Sequence, residues 1–328
     1  MRIARRRLLK LAGLGVLAAP VLSAEAETFP SRPVTMVVPF TAGGPLDTTG
    51  RIIAERMRQS LGQPLIIENI GGAGGSIGVG RVAHAAPDGY TIVLEIWTTA
   101  VVNGAIYQLP YDVQKDFAPI GLVTDGPLVI VGRKTFPADD LKGLIAWLKA
   151  NPDKATAGTS GVGSPQHISG VLFQQVTGTR FQFVHYRGGA QITQDLMAGQ
   201  IDIVFSDAIT ALPQVRAGTI KAFAFMSKSR SAVAPDIPTV DEAGLPGFYN
   251  SVWQGIWAPA GTPADIIAKL NSALVETLDD PAIRKRLSDI GRSVFPREQM
   301  TPQALGALQK AEIEKWWPVI KAAGVKGE

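Results

Sequence analysis

The chain of 328 residues contains no cysteine and only three histidines. The first absence removes disulfides and thiol chemistry, and together they argue against a structural zinc site. A surplus of one charge is also missing once the first 26 residues are set apart. Five of the 32 Lys+Arg (Arg2, Arg5, Arg6, Arg7, Lys10) and one of the 28 Asp+Glu (Glu25) lie there, leaving 27 of each in the remainder. So balanced a chain has no electrostatic footprint for nucleic acid or an anionic membrane. Nor does any later stretch offer the roughly 20 apolar residues that span a bilayer.

The first 26 residues hold a basic start, an apolar run from Leu11 to Leu22, and Ala24-Glu25-Ala26. That order reads as a secretory signal with a small-x-small cleavage site, its apolar run too short for a membrane helix. It predicts cleavage after Ala26 and a periplasmic protein. Arg5-Arg6-Arg7-Leu8-Leu9-Lys10 also resembles a twin-arginine export signal. An exported chain without disulfides must be held by its core alone, which about 300 residues in two domains can achieve.

The rest alternates strand-like and helix-like segments. Val34–Phe40, Leu65–Glu68 and Tyr90–Ile96 read as strands, with helices over Thr48–Leu61 and Ser76–His84 between them. A second block repeats the alternation from Leu128 to Met226, and the chain ends in helices. Such alternation predicts parallel α/β sheets. Thr262-Pro263, Asp280-Pro281 and Thr301-Pro302 each place a capping residue before a proline suited to the first helical turn. Pro318 is expected to break the last helix.

Four strand-to-helix junctions are rich in glycine: 41–46, 69–78, 158–167 and 185–191. Glycine lets main-chain amides turn inward and approach a ligand, and amides at a helix N-terminus form an anion site. After neighbouring parallel strands such loops share one sheet edge. Tight turns alone would use glycine equally well.

Two enzyme motifs also occur. Gly74-Gly75-Ser76-Ile77-Gly78 fits a nucleophile elbow, but His84 lies two turns along the helix that Ser76 opens. Gly78-Val79-Gly80-Arg81-Val82-Ala83, followed by Glu95, fits a dinucleotide fingerprint. Its glycines fall inside that helix, and the same pattern recurs at 13–18. His167 reads either as a donor to a bound carboxylate or as a helix residue packed under its loop. Trp97 reads as cleft wall or core.

Taken in order, "PFTAGGPLD", "ENIGGAGGSIG", "AAPDGYTI", "GTSGVGSPQHISG", "HYRGG", "LMAGQIDIVF", "WQGIWAPAGTP" and "EKWWPVIKAAGVK" resemble the substrate-binding proteins of tripartite tricarboxylate transporters, the Bug or TctC family. The resemblance runs from about Pro33 to the C-terminus. It implies a type II periplasmic binding-protein fold: two α/β lobes with a ligand cleft between them, here 27–126 with 249–328, and 127–248. It also implies a monomeric, non-enzymatic receptor without cofactor or metal. That receptor would hand a small mono- or dicarboxylate to membrane permease subunits. An exported nicotinamide-dependent oxidoreductase and a ligand sensor without transport are the alternatives.

Carried onto this chain, the family's ligand-binding positions are Phe40, Thr41, Ala42, Gly43, Gly44 and Asp47 in the first loop. Gly72, Ala73, Gly74, Gly75 and Ser76 form the second. Thr159, Ser160, Ser164 and His167 form the third, and Tyr186, Gly188, Gly189 and Asp207 complete the second lobe's set. Trp97 joins them as a cleft-wall candidate. Departures from the family pattern fall at Arg187, at Trp97 and at Asn103-Gly104.

Overall fold

The computed structural model describes residues 28–186 and 188–327. The segment read as a signal, its cleavage site and Arg187 lie outside the described residues. The first run of elements is β1 (Val34–Val38), α1 (Pro45–Leu61), β2 (Leu65–Asn69), α2 (Ser76–Ala83), β3 (Thr91–Ile96), a π-turn at Thr98–Val102, α3 (Asn103–Ile106) and β4 (Phe117–Asp125). The second is β5 (Leu128–Arg133), α4 (Leu141–Ala150), β6 (Thr156–Thr159), α5 (Pro165–Thr177), β7 (Gln182–His185), α6 (Gly189–Ala198), β8 (Ile203–Asp207), α7 (Ala208–Arg216) and β9 (Ile220–Phe225). The third is β10 (Gln254–Pro259), α8 (Ala264–Asp279), α9 (Pro281–Asp289), β11 (Ser293–Val294) and α10 (Pro302–Ala322).

These strands form two sheets, ordered β11-β4-β10-β3-β1-β2 and β7-β6-β8-β5-β9. Neither is purely parallel, contrary to the strand–helix reading. β1 runs parallel to β2 and β3, but β10 lies antiparallel between β3 and β4. In the second sheet β5 is antiparallel to both β8 and β9. The added antiparallel strands are those next to the crossings between sheets. There the two crossing segments bond to each other, Val252 N–H to Gly126 O at 2.9 Å and Leu128 N–H to Asn250 O at 3.2 Å.

Local chemistry explains the element ends. β1 reads Val-Thr-Met-Val-Val, β-branched and almost wholly buried, as an interior strand of a covered sheet should be. α1 presents Leu46, Ile53, Met57 and Leu61 to the core and stops at Gly62 in the left-handed region, φ 70°. Asp280 and Thr301 cap α9 and α10 through their side chains, as their sequence context predicts. Thr262 does not cap α8: its hydroxyl bonds back to Pro259 O at 2.7 Å, and Pro263 stands at the N-cap. Nor does Pro318 end α10, which continues to Ala322. Trp316 before it and Ile320 after it are both buried in the same apolar cluster, so packing on either side outweighs the lost main-chain bond. Among the described residues no helix is long and apolar enough to cross a membrane.

Candidate functional site

Between the sheets lies a cavity of about 780 Å³, within the usual range for small-molecule sites. The glycine loops reach it from both sides. β1 and β2 are paired in parallel register, so the loops that follow them emerge together, one through Thr41 and Gly44, the other through Gly71 to Gly75. From the second sheet come Ser160 and Gly161, then Gly188 and Gly189. The opposing loops nearly touch: a side chain on Gly188 would begin 3.8 Å from the Thr41 hydroxyl. Tyr107 Oη donates to Val162 O across the gap at 3.0 Å.

Five helices start at this cavity, and three of them lack a side-chain cap; α5 and α7, which also begin on its wall, keep theirs. α4, α5, α7, α9 and α10 each have an Asp, Ser or Thr whose side chain accepts from their first amides. α1, α2 and α6 instead begin at Gly44, Gly75 and Gly188, with no capping side chain. All three glycines line the cavity. A helix N-terminus carries partial positive charge and unmet donors, and three uncapped ends converging from two lobes bring such donors together at one cavity. Among the described residues, the amides of Thr41, Gly72, Ala73 and Gly74 also meet no acceptor in the protein. Gly75 is held at φ 94°, where an added Cβ would sit 2.7 Å from Thr99 and 3.2 Å from the Phe40 ring. No other residue fits that turn.

Several expected ligand residues shape the loops from behind instead of lining the cavity. Asp47 is buried and accepts from Gly43 N–H (2.8 Å), Arg51 Nε (2.9 Å) and Asn69 Nδ2 (3.0 Å). Burial alone would raise its pKa, yet the bonds from Arg51, Gly43 and Asn69 together hold it below the usual carboxylate range. The Gly43 amide is thereby already occupied, and Ala42 and Gly43 are not on the wall. Ser76 is enclosed and accepts from Asn103 Nδ2 at 3.0 Å, while the same amide group bonds Gly74 O.

In the third loop, Thr159 pairs with His185 Nδ1 at 2.6 Å and Ser164 caps α5. Gly163 N–H donates to His167 Nδ1 at 3.3 Å. That nitrogen must therefore be unprotonated, which agrees with a pKa driven down to about 4 by burial and by neighbouring His185. Tyr186 anchors α6 by donating to Asp195 at 2.6 Å. Trp97 is a core residue and not a cleft wall. It is fully enclosed, with its ring 5.1 Å from that of Trp316 in an edge contact, because the π-turn after β3 swings the chain inward.

The predicted residues that do line the cavity are Phe40, Thr41 and Gly44, then Gly72 to Gly75, and Ser160, Gly188, Gly189 and Asp207 on the far side. Gln166 and His185 stand inside the marked loops 158–167 and 185–191 without being singled out as ligand residues, and Tyr107, Ser206, Gln254 and Arg292 are not named among them. Arg292 Nη1 donates to Val252 O at 2.8 Å, and Nη2 ion-pairs with Asp207, the N-cap of α7. Gln254 is buried and receives the Thr124 hydroxyl on Oε1 at 2.9 Å, while its Nε2 finds no partner. Gln254 lies in the segment "WQGIWAPAGTP" that carries part of the resemblance, with nothing to mark it as a ligand residue, and no motif covers Arg292.

Comparison with known proteins agrees with this geometry. Residues 49–325 match the model described as the tripartite tricarboxylate transporter family receptor. A protein encoded in the TAR-I ttuE–ttuC′ intergenic region of Agrobacterium vitis is 39% identical over 305 residues, covering 93% of this chain and 88% of its own. The structure of the periplasmic binding protein BugD superposes with TM-score 0.85 at 38% identity, over 92% of this chain and all of that one. MatC from Rhodopseudomonas palustris, with bound malate, gives 0.84 at 40%, over 89% of this chain and all of that one. The chain therefore belongs to the tripartite tricarboxylate transporter family of receptors, the Bug/TctC proteins, and is a solute-binding protein of two-lobed fold and not an enzyme.

Proposed function

We propose that this protein captures a small carboxylate in the interlobe cavity, in the periplasm, and delivers it to the permease subunits of a tripartite tricarboxylate-type transporter. The observation that carries the reading is the trio of glycine-capped helix starts, Gly44, Gly75 and Gly188, opening from both lobes on one cavity. The only Lys or Arg on the described wall, Arg292, is already neutralised by Asp207. Main-chain donors therefore supply the attraction for an anion. Gln254 Nε2 adds a buried donor in need of an acceptor. The malate held by the MatC structure has the chemistry such a site would take.

Ligand bridging the two sets of loops favours the closed arrangement, the form suited to docking on a permease. The test is calorimetric titration with carboxylates and their matched neutral amides. Binding of acids and not of amides supports the reading; equal affinity for both sinks it. Delivery is checked by radiolabelled solute uptake in a strain lacking the protein, which should fall to background.

A further inference from the structure

The cavity does not end at the glycine turns. Past Gly189 and Asp207 it continues between α6 and α7, over one face of the second sheet. Its floor is Val131 on β5 and Val204 on β8, which face each other across the antiparallel pair and so point the same way. One side is Ile192 and Leu196, a helical turn apart on α6, and Ile220 at the start of β9 adds to the wall. The other side is Thr210 and Ala211 on α7.

α7 offers the cluster on this sheet face Ala208, Ala211 and Leu212, and α6 offers Ile192 and Leu196. Of the α7 residues only Thr210 and Ala211 reach the cavity wall, so the smaller side chains of the slot stand on that side. From Gly189 to Leu196 the α6 wall runs seven residues, about 10 Å of helix. The hydroxyls on this part of the wall are those of Thr193, Ser206 and Thr210. Among the described residues the sole carboxylate and the sole Lys or Arg on the whole cavity wall are Asp207 and Arg292, and they pair with each other. An acid group entering the slot would be stripped of water and left without a counter-charge, at high cost.

We propose that this slot receives the hydrocarbon tail of a monocarboxylate whose acid group sits at the glycine-capped helix starts. The solute class is then a medium-chain or aryl-alkyl monocarboxylic acid, in preference to a short dicarboxylic acid. This rests on the carboxylate reading above and narrows it.

The experiment is calorimetric titration of the purified protein with butanoate, hexanoate and octanoate, alongside adipate. Affinity should tighten about fourfold per added methylene until the slot is full, and hexanoate should bind at least tenfold tighter than adipate. Ala211→Leu, which fills the slot, should flatten the series. Should that variant fail to fold, Leu196→Ala, which lengthens the slot, should move the affinity maximum to longer acids. Affinity independent of chain length, an adipate as tight as hexanoate, or a maximum that Leu196→Ala leaves in place would each overturn the slot while leaving carboxylate capture standing. If no acid of any length binds, the function proposed above fails first.

Discussion

Tyr107 donates its hydroxyl to the main-chain carbonyl of Val162 at 3.0 Å, joining the segment after α3 to the third glycine loop on the opposite side of the cleft. Both residues line the cavity, and the Tyr107 ring packs against the first lobe's apolar cluster, so only the hydroxyl spans the gap and closes one edge of the site. Its net worth is about 0.5–1.5 kcal/mol, and it is made only when the lobes approach. Tyr107→Phe should therefore weaken ligand affinity about two- to tenfold while leaving the melting temperature of the unliganded protein nearly unchanged. Calorimetry and thermal melts on the same preparation check the pair of outcomes; a large stability loss would assign the bond to folding instead.

Gly188 provides a sharper test of the uncapped helix starts. Its backbone is extended, φ −169° and ψ 159°, a conformation open to any residue, and an added Cβ would meet nothing nearer than the Thr41 hydroxyl at 3.8 Å. Gly188→Asp should thus fit, cap α6, and leave stability equal or a few tenths of a kcal/mol higher. The same carboxylate would occupy the amides and repel an anion, so affinity should fall by tenfold or more, the loss of a charge-assisted bond worth about 1.5–3 kcal/mol. Gly188→Ala, which adds bulk without charge, should bind nearly as the parent does. Equal losses in both variants would mean that the glycine is needed for space and not for its amides.

These two residues also show how far the sequence could be read. Gly188 was visible because a strand, two glycines and a helix start announce themselves locally. The same is true of Gly44 and Gly75. Asp47, Ser76 and His167 sit in those loops too, but which way a loop side chain faces depends on partners such as Asn69, Asn103 and Gly163, reached only through the fold. Trp97 was ambiguous because the end of a buried strand can turn either way, and the π-turn decides it. Arg292 lies in no quoted motif, and Gln254 lies in one that says nothing of its role, since strand crossings that pair distant segments have no local signature. The slot between α6 and α7 is a gap, and gaps follow from packing alone.

Two buried groups with opposite shifts predict the pH profile of stability. His167 has its pKa lowered from 6.5 to about 4, by burial first and then by His185. A depressed folded pKa means the unfolded chain takes up the proton first, so stability is full above about 6.5 and is lost as pH falls toward 4, by up to about 3 kcal/mol. His167→Gln keeps an acceptor for Gly163 and should flatten this acid limb. Glu95 runs the other way. It lies on β3 with its pKa raised to about 8 by burial, despite a bond from Thr99. A raised folded pKa gives stability that is whole below about 4.5 and declines as pH rises through 8. Glu95→Gln should therefore raise the melting temperature at pH 8 and change it little at pH 4.5. Thermal melts across pH 4–9 read both limbs, and an unchanged alkaline limb in Glu95→Gln would show that another group controls it.

Arg292 pins the crossing between the sheets. Its guanidinium bonds Val252 O on one crossing segment and Asp207 at the start of α7, and a side chain on Gly126 of the other segment would lie 2.6 Å from Nη1. The Arg292 side chain is 1% exposed and that of Asp207 13%, so the guanidinium has no access to water and the carboxylate only a narrow face toward the cavity if its partner is lost. Arg292→Met should cost about 3–5 kcal/mol, because it strands the Asp207 carboxylate and not because the pair itself is worth that much. The double change with Asp207→Asn should recover a large part of the loss, since no buried charge remains, and Asn still caps α7. Denaturant unfolding of the two singles and the double gives the coupling directly. If Arg292→Met and the double are equally unstable, the guanidinium acts by filling space at the crossing and its charge is incidental.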